Sequence, residues 1–87
     1  MIYIDPKDVK LSPRQKQVLL LLVQGLIDKE VGAKLGIDEG TANTHRKGLI
    51  DKFWPLVGFR PTIPDLVQIA LALGYIKNKF EKKNPLR

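Results

Sequence analysis

The sequence predicts an all-α domain of four helices, on three observations. Helix-start residues recur at Ser12, Asp28, Asp38 and Thr62, each followed by apolar residues at helical spacing. Glycines stand at 25, 36 and 74, where helices begun at 12, 28 and 62 would end. The second and third helices are separated only by a short turn containing Gly36, the signature of a helix-turn-helix.

Size and composition fit one small domain. The 87 residues are 44% hydrophobic, enough for a modest core rather than a disordered chain. With no cysteine, disulfides and thiolate metal sites are excluded. A single histidine makes neither a histidine-built metal site nor a Ser-His-Asp triad, and no cofactor is expected. No acid/base pair, nucleophile or phosphate loop assembles, so an enzyme is not expected. The longest apolar run, residues 18–23, is far below a membrane span. The opening residues carry Asp5, Pro6 and Asp8 rather than an apolar leader, so the expectation is cytoplasmic residence. The net charge of +6 points to an anionic partner. Residues 77–87 hold five of the fifteen basic residues against Glu81 alone, so this tail supplies +4 of the total. Two readings of it stand side by side: a solvated terminus, or a phosphate contact.

Residues 1–10 alternate weakly through Ile2 and Ile4 before Pro6, which suits a short extended arm or a linker stub. The first helix should run from Pro13 to about Gln24. Ser12 suits the N-cap, Pro13 the first helical position, and Gln15 completes a capping box. Val18, Leu19, Leu21 and Leu22 form its buried face, while Leu20 and Val23 carry apolar surface nearly all round. Such a helix is central or touches a partner. The second helix spans about 28–35, with Asp28 as N-cap and Val31, Leu35 and either Ala33 or Ile27 buried. Asp38 caps the third helix, about 39–53, with Thr41 at its third position. Ala42, Leu49 and Phe53 share one face, flanked by Ile50, and Asn43, Thr44, Lys47 and Asp51 gather opposite. After Phe53, the residues Pro55, Gly58 and Pro61 should break the helix. Trp54, Leu56, Val57 and Phe59 make that connection apolar, so it should fold back on the body. Trp54 and Phe59 either plug the core or stack on a base or partner. Thr62, with Asp65 three residues on, opens the fourth helix, about 63–73. Leu66, Val67, Ile69, Ala70, Leu71 and Leu73 leave it little polar face beyond Gln68. That implies central burial or self-association.

A helix with an apolar back and a row of hydrogen-bonding side chains suits presentation to a DNA groove. The residues also carry a resemblance. LSPRQKQVLLLLVQGLIDKEVGAKLGIDEGTANTHRKGLIDKF, residues 11–53, resembles the LuxR-type helix-turn-helix domain of bacterial transcription regulators. Its matching stretches are residues 11–19, 25–33 and 35–45, and DLVQIALALGYI resembles the family's fourth helix. The domain then occupies about 11–76, between the arm at 1–10 and the tail at 77–87. The resemblance implies a four-helix (tetrahelical) fold whose third helix enters the major groove of double-stranded DNA. It implies base contacts from Asn43, Thr44 and Lys47. It implies phosphate contacts from the start of the second helix, Asp28 and Lys29, and from Thr41, His45 and Arg46. Lys34 and Lys52 are within reach of phosphates or simply solvated. It implies a homodimer through the fourth helix, at Leu66, Ile69, Ala70 and Leu73. His45 is expected as a hydrogen-bonded or phosphate-facing residue, not a metal ligand.

The sequence departs from the family at several points. Asn43 replaces a lysine and can instead read adenine through its N6/N7 edge. Ala42 replaces a larger aliphatic, Gly48 sits mid-helix, and Ile27 stands in place of a serine cap. The connection at 54–65 is longer than the family's. The alternative function is a protein-interaction module of the transcription machinery, binding RNA polymerase or a regulator, or a sigma region-4-like promoter module.

Overall fold

The computed structural model describes residues 4–77. The described residues fold into a 3-10 turn, Pro6–Asp8, and four α-helices: α1 Pro13–Leu22, α2 Asp28–Leu35, α3 Glu39–Val57 and α4 Ile63–Ala72. No strand occurs among them, and none of these helices is long and apolar enough to cross a membrane.

The caps set the helix starts. Ser12 Oγ accepts from Gln15 N–H at 3.1 Å while Gln15 Oε1 accepts from Ser12 N–H at 3.0 Å, so two otherwise unpaired donors are satisfied at once. Thr62 and Asp65 do the same for α4. Asp38 Oδ1 accepts from Thr41 N–H at 2.6 Å and opens α3. At α2 the expected cap is displaced. Ile27 holds the cap position, its N–H donating to Glu30 Oε1 at 2.9 Å, and Asp28 is the first helical residue. That one-residue shift frees the Asp28 carboxylate to face α3.

The core is built around α1, which packs on all three other helices. This is the central position that its nearly all-round apolar surface predicted. Val18, Leu19 and Leu22 meet Val31 of α2, then Ala42, Leu49 and Phe53 of α3, then Leu66, Ile69 and Ala70 of α4. The predicted apolar stripe of α3 is buried, with Ile50 at its edge. In α2 the buried partner of Val31 is Gly32, while Ala33 and Ile27 are exposed and Leu35 is half-buried. A Cβ on Gly32 would lie 2.6 Å from the Ile37 carbonyl oxygen, so only glycine lets α2 approach the turn this closely. Gly36 adopts φ +71°, and its N–H and that of Ile37 both reach the Gly32 carbonyl. These bonds close α2 and launch α3 within three residues.

Three expectations are corrected. From Ile4 on, the segment expected as a short extended arm or linker stub is packed onto the domain. Pro6–Asp8 turn back, Ile4 and Val9 are buried in the core, and the Lys10 carbonyl accepts from Lys52 Nζ at 2.6 Å. The third helix does not stop at Phe53 but continues through Pro55 to Val57, where Gly58, at φ +85°, donates its N–H to the Trp54 carbonyl at 2.8 Å. The long connection therefore shrinks to five residues, Gly58 to Thr62. Its apolar residues do not all fold back either: Trp54, Leu56 and Phe59 are exposed, while Val57 is tucked against the core and Pro61 is fully buried. Residues 78–87, which carry most of the basic tail, lie outside the described residues.

Candidate nucleic-acid interface

The outward side of α3 is prepared by its inward side. Because Ala42, Leu49 and Phe53 are locked into the core, residues about 180° round the helix must face away from the protein. Thr44, Lys47 and Asp51 are exposed there, and Asn43 is half-buried on the flank nearest α2. Thr44 Oγ1 donates to the Gly40 carbonyl at 3.1 Å and keeps its lone pairs for a partner.

The flank facing α2 holds a three-residue network. Asn43 Nδ2 donates to Asp28 Oδ2 at 2.8 Å. Arg46 Nε donates to Asp28 Oδ1 at 2.9 Å, and its Nη2 to Oδ2 at 3.1 Å. The arginine fork therefore grips both carboxylate oxygens, the geometry that makes such pairs strong and directional. The pair is shielded, with the Arg46 side chain 29% and that of Asp28 16% exposed. The Arg46 hydrogen bonds hold the Asp28 carboxyl below the ordinary carboxylate range. Burial opposes this, while the Asn43 bond and the charges of Arg46 and Lys47 assist. Asp38 is also lowered, chiefly by the Thr41 N–H it accepts.

The predicted site residues divide accordingly. Thr44 and Lys47 lie together on the side of α3 away from the core, while Asn43, expected on the same face, is half-buried on the flank that meets Asp28. Lys29 and Thr41 are exposed near the starts of α2 and α3, and His45 is half-buried beside the apolar stripe. Lys34 is exposed on α2. Arg46 and Lys52 are not simple outward cations. Arg46 spends Nε and Nη2 on Asp28, and Lys52 spends its ammonium on the Lys10 carbonyl. Asp28 is a tie between α2 and α3 instead of a cap or an outward group. The residues expected at a dimer contact are corrected as well. Leu66, Ile69 and Ala70 are fully buried in the chain's own core, and Leu73 is half-buried against it, so they present little or nothing to a second copy. The outer side of α4 carries Ile63, Val67, Gln68 and Ala72.

Two features escaped the sequence reading: the Asp28 network and the close approach at Gly32. One signal for the first was present, since an acid at the edge of a face expected to meet an anion calls for a neutralising partner. Spacing along the chain does not reveal that Arg46, eighteen residues on, is that partner.

Known proteins carry the same stretch. The family described as "Bacterial regulatory proteins, luxR family" matches residues 9–54, just over half of the chain. The "Transcriptional regulatory protein MctR" of Rhizobium johnstonii is 48% identical over 42 residues, covering 48% of this chain and 20% of that protein. A "Putative HTH-type transcriptional regulator in exeN 3'region" of Aeromonas salmonicida is 46% identical over 43 residues, 49% of this chain and 22% of its own. "Nodulation protein W" of Bradyrhizobium diazoefficiens is 32% identical over 72 residues, reaching 83% of this chain and 30% of that protein. The chain thus spans about a third or less of the length of these curated relatives. No solved structure matches it. The capped tetrahelical fold, the glycine turn ahead of α3 and the match at residues 9–54 lead to one conclusion: the chain belongs to the bacterial luxR family of regulatory proteins.

Proposed function

We propose that the chain binds double-stranded DNA through the outward side of α3 and regulates transcription. The observation that carries this is the two-sided α3. Its apolar stripe is fixed in the core, Thr44 and Lys47 stand out on the other side, and Asn43 lies half-buried at their edge. Membership of the luxR family and relatives named as transcriptional regulators support the reading. In it, Asn43, Thr44 and Lys47 meet base edges in the major groove. Lys29 and Thr41 meet phosphates, which position the helix without specifying sequence. Arg46 contributes through its remaining Nη1 donors, and His45 and Lys52 through their place at the rim. A dimer built on α4 uses Ile63 and Val67 on its outer side, as the inner residues are occupied.

The test is fluorescence anisotropy on genomic duplexes across a salt series, with Lys47→Ala beside the parent chain. Affinity should fall steeply with salt. Lys47→Ala should weaken specific binding by about 1–3 kcal/mol while its melting temperature stays put. Equal affinity and selectivity in the variant would remove α3 as the reading helix.

One observation favours a second reading, a protein-interaction module. Trp54, Leu56, Phe59 and Ile63 are exposed together around the end of α3 and the start of α4, with the Arg60 guanidinium 6.0 Å from the Trp54 ring centre. Under that reading, Trp54→Ala abolishes capture of a transcription-machinery protein such as RNA polymerase, and no duplex binds selectively.

A further inference from the structure

Asp28 is an acid at the edge of a surface that, on the reading above, meets an anion, and α2 has no need of it as a cap. We propose that Asp28 is a positioning residue: it fixes the amide of Asn43 so that α3 offers a hydrogen-bond acceptor. At the base pair it meets, Asn43 then selects a base with an exocyclic amine, adenine or cytosine, over guanine or thymine. This inference rests on the DNA-binding function proposed above.

Hydrogen-bond valence fixes the amide. An ionised carboxylate only accepts, so the end of the Asn43 amide that faces it must be the NH2 group. The bond is 2.8 Å long, from Nδ2 to Oδ2. Turning the amide over would set its oxygen against a carboxylate oxygen, two acceptors in contact with no proton between them. The side chain could not instead swing with its partner, because the Arg46 fork fixes the plane of the carboxylate from the far side at 2.9 and 3.1 Å. The same fork cancels the acid's charge, so Asp28 orients Asn43 without repelling phosphate.

The consequence is read at the other end of the amide. Asn43 Oδ1 accepts no hydrogen bond among the described residues and is not one of their fully buried oxygens, so it keeps its lone pairs for a partner. In the major groove, adenine N6 and cytosine N4 carry donors, whereas guanine O6 and N7 and thymine O4 are acceptors. An asparagine free to turn over would meet either kind. This one is held with its oxygen as the free acceptor, and only the second Nδ2 proton is left as a donor.

Binding sites are selected from a random duplex pool with the parent chain, Asn43→Ala, Asp28→Asn and Asp28→Ala, each checked by thermal melting. In the parent, one position should favour adenine or cytosine by about tenfold. Asn43→Ala should lose that preference and keep the others. Asp28→Asn, which can accept or donate, and Asp28→Ala, which can do neither, should lose it at the same position while the preferences at other positions remain. A DNA-free readout runs in parallel: the Asn43 side-chain NH2 should show one slowly exchanging proton by NMR in the parent, and none in either Asp28 variant. The proposal is overturned if the preference survives both Asp28 substitutions, if the position affected by Asn43→Ala favours guanine or thymine, or if the NMR signature is absent in the parent. A parent chain that enriches no sequence while keeping the NMR signature removes the DNA reading, and the base selection with it, and leaves the orientation of Asn43 standing.

Discussion

Gly48 is a helix-interior glycine that the fold does not require. Nothing lies within 4 Å of where its Cβ would sit, and it is not among the residues with positive φ. Glycine in this setting costs roughly 0.5–1 kcal/mol against alanine, through the backbone freedom lost on folding. Gly48→Ala should therefore stabilise the fold by about that amount, seen as a raised urea midpoint with an unchanged slope. A fall would mean that α3 is crowded at this point. The two lowered carboxylates set the acid response. Asp28 is held down by Arg46 and Asp38 by the Thr41 N–H, so each favours the folded state more when ionised. A depressed folded pKa stabilises above the unfolded value and is lost as pH falls through the folded one. Stability should hold from neutral pH to about 4, then decline below it. Urea midpoints along that range should show a shallower decline in Asp28→Asn, and an identical profile would mean that the Arg46 pair contributes nothing.

At the scale of elements, the sequence was most legible where a local rule decides. Ser12, Asp38 and Thr62 cap as their residue types prefer, and Gly36 and Gly74 adopt positive φ at helix ends. It was least legible where tertiary packing overrides such rules. Pro55 removes one hydrogen bond from α3, yet so near the helix end that Gly58 can still close the last turn and Val57 still packs. Asp28 has a capping side chain, but its place at the first helical position turns that side chain towards Arg46. Gly32 has no side chain to announce burial, so a search for apolar periodicity passes over it. Gly32→Ala tests its role. With 2.6 Å to the Ile37 oxygen, the turn must shift, and a cost of about 1–3 kcal/mol is expected on urea denaturation, with DNA selectivity reduced through the displaced α3. A neutral substitution would show that the turn tolerates the displacement.

For the whole molecule, the decisive matter is that α4 is already used. Leu66 has no accessible surface and belongs to the single core that also holds Phe53 and Leu19. Leu66→Ala should destabilise the folded chain by about 2–5 kcal/mol, by the same amount at every protein concentration. Destabilisation that disappears on dilution would instead locate Leu66 between subunits. The family could be read from the sequence because its motifs lie in α1 to α3. The association face could not, since a helix apolar nearly all round does not declare which side its own domain claims.

The Lys52 bond to the Lys10 carbonyl, with Ile4 and Val9 in the core, has a practical bearing on how the protein is handled. A tag or fusion joined just ahead of Ile4 would be spliced onto the footing of α3. Strain from such a fusion would loosen the seat of α3, and a weak duplex affinity measured that way would belong to the fusion joint.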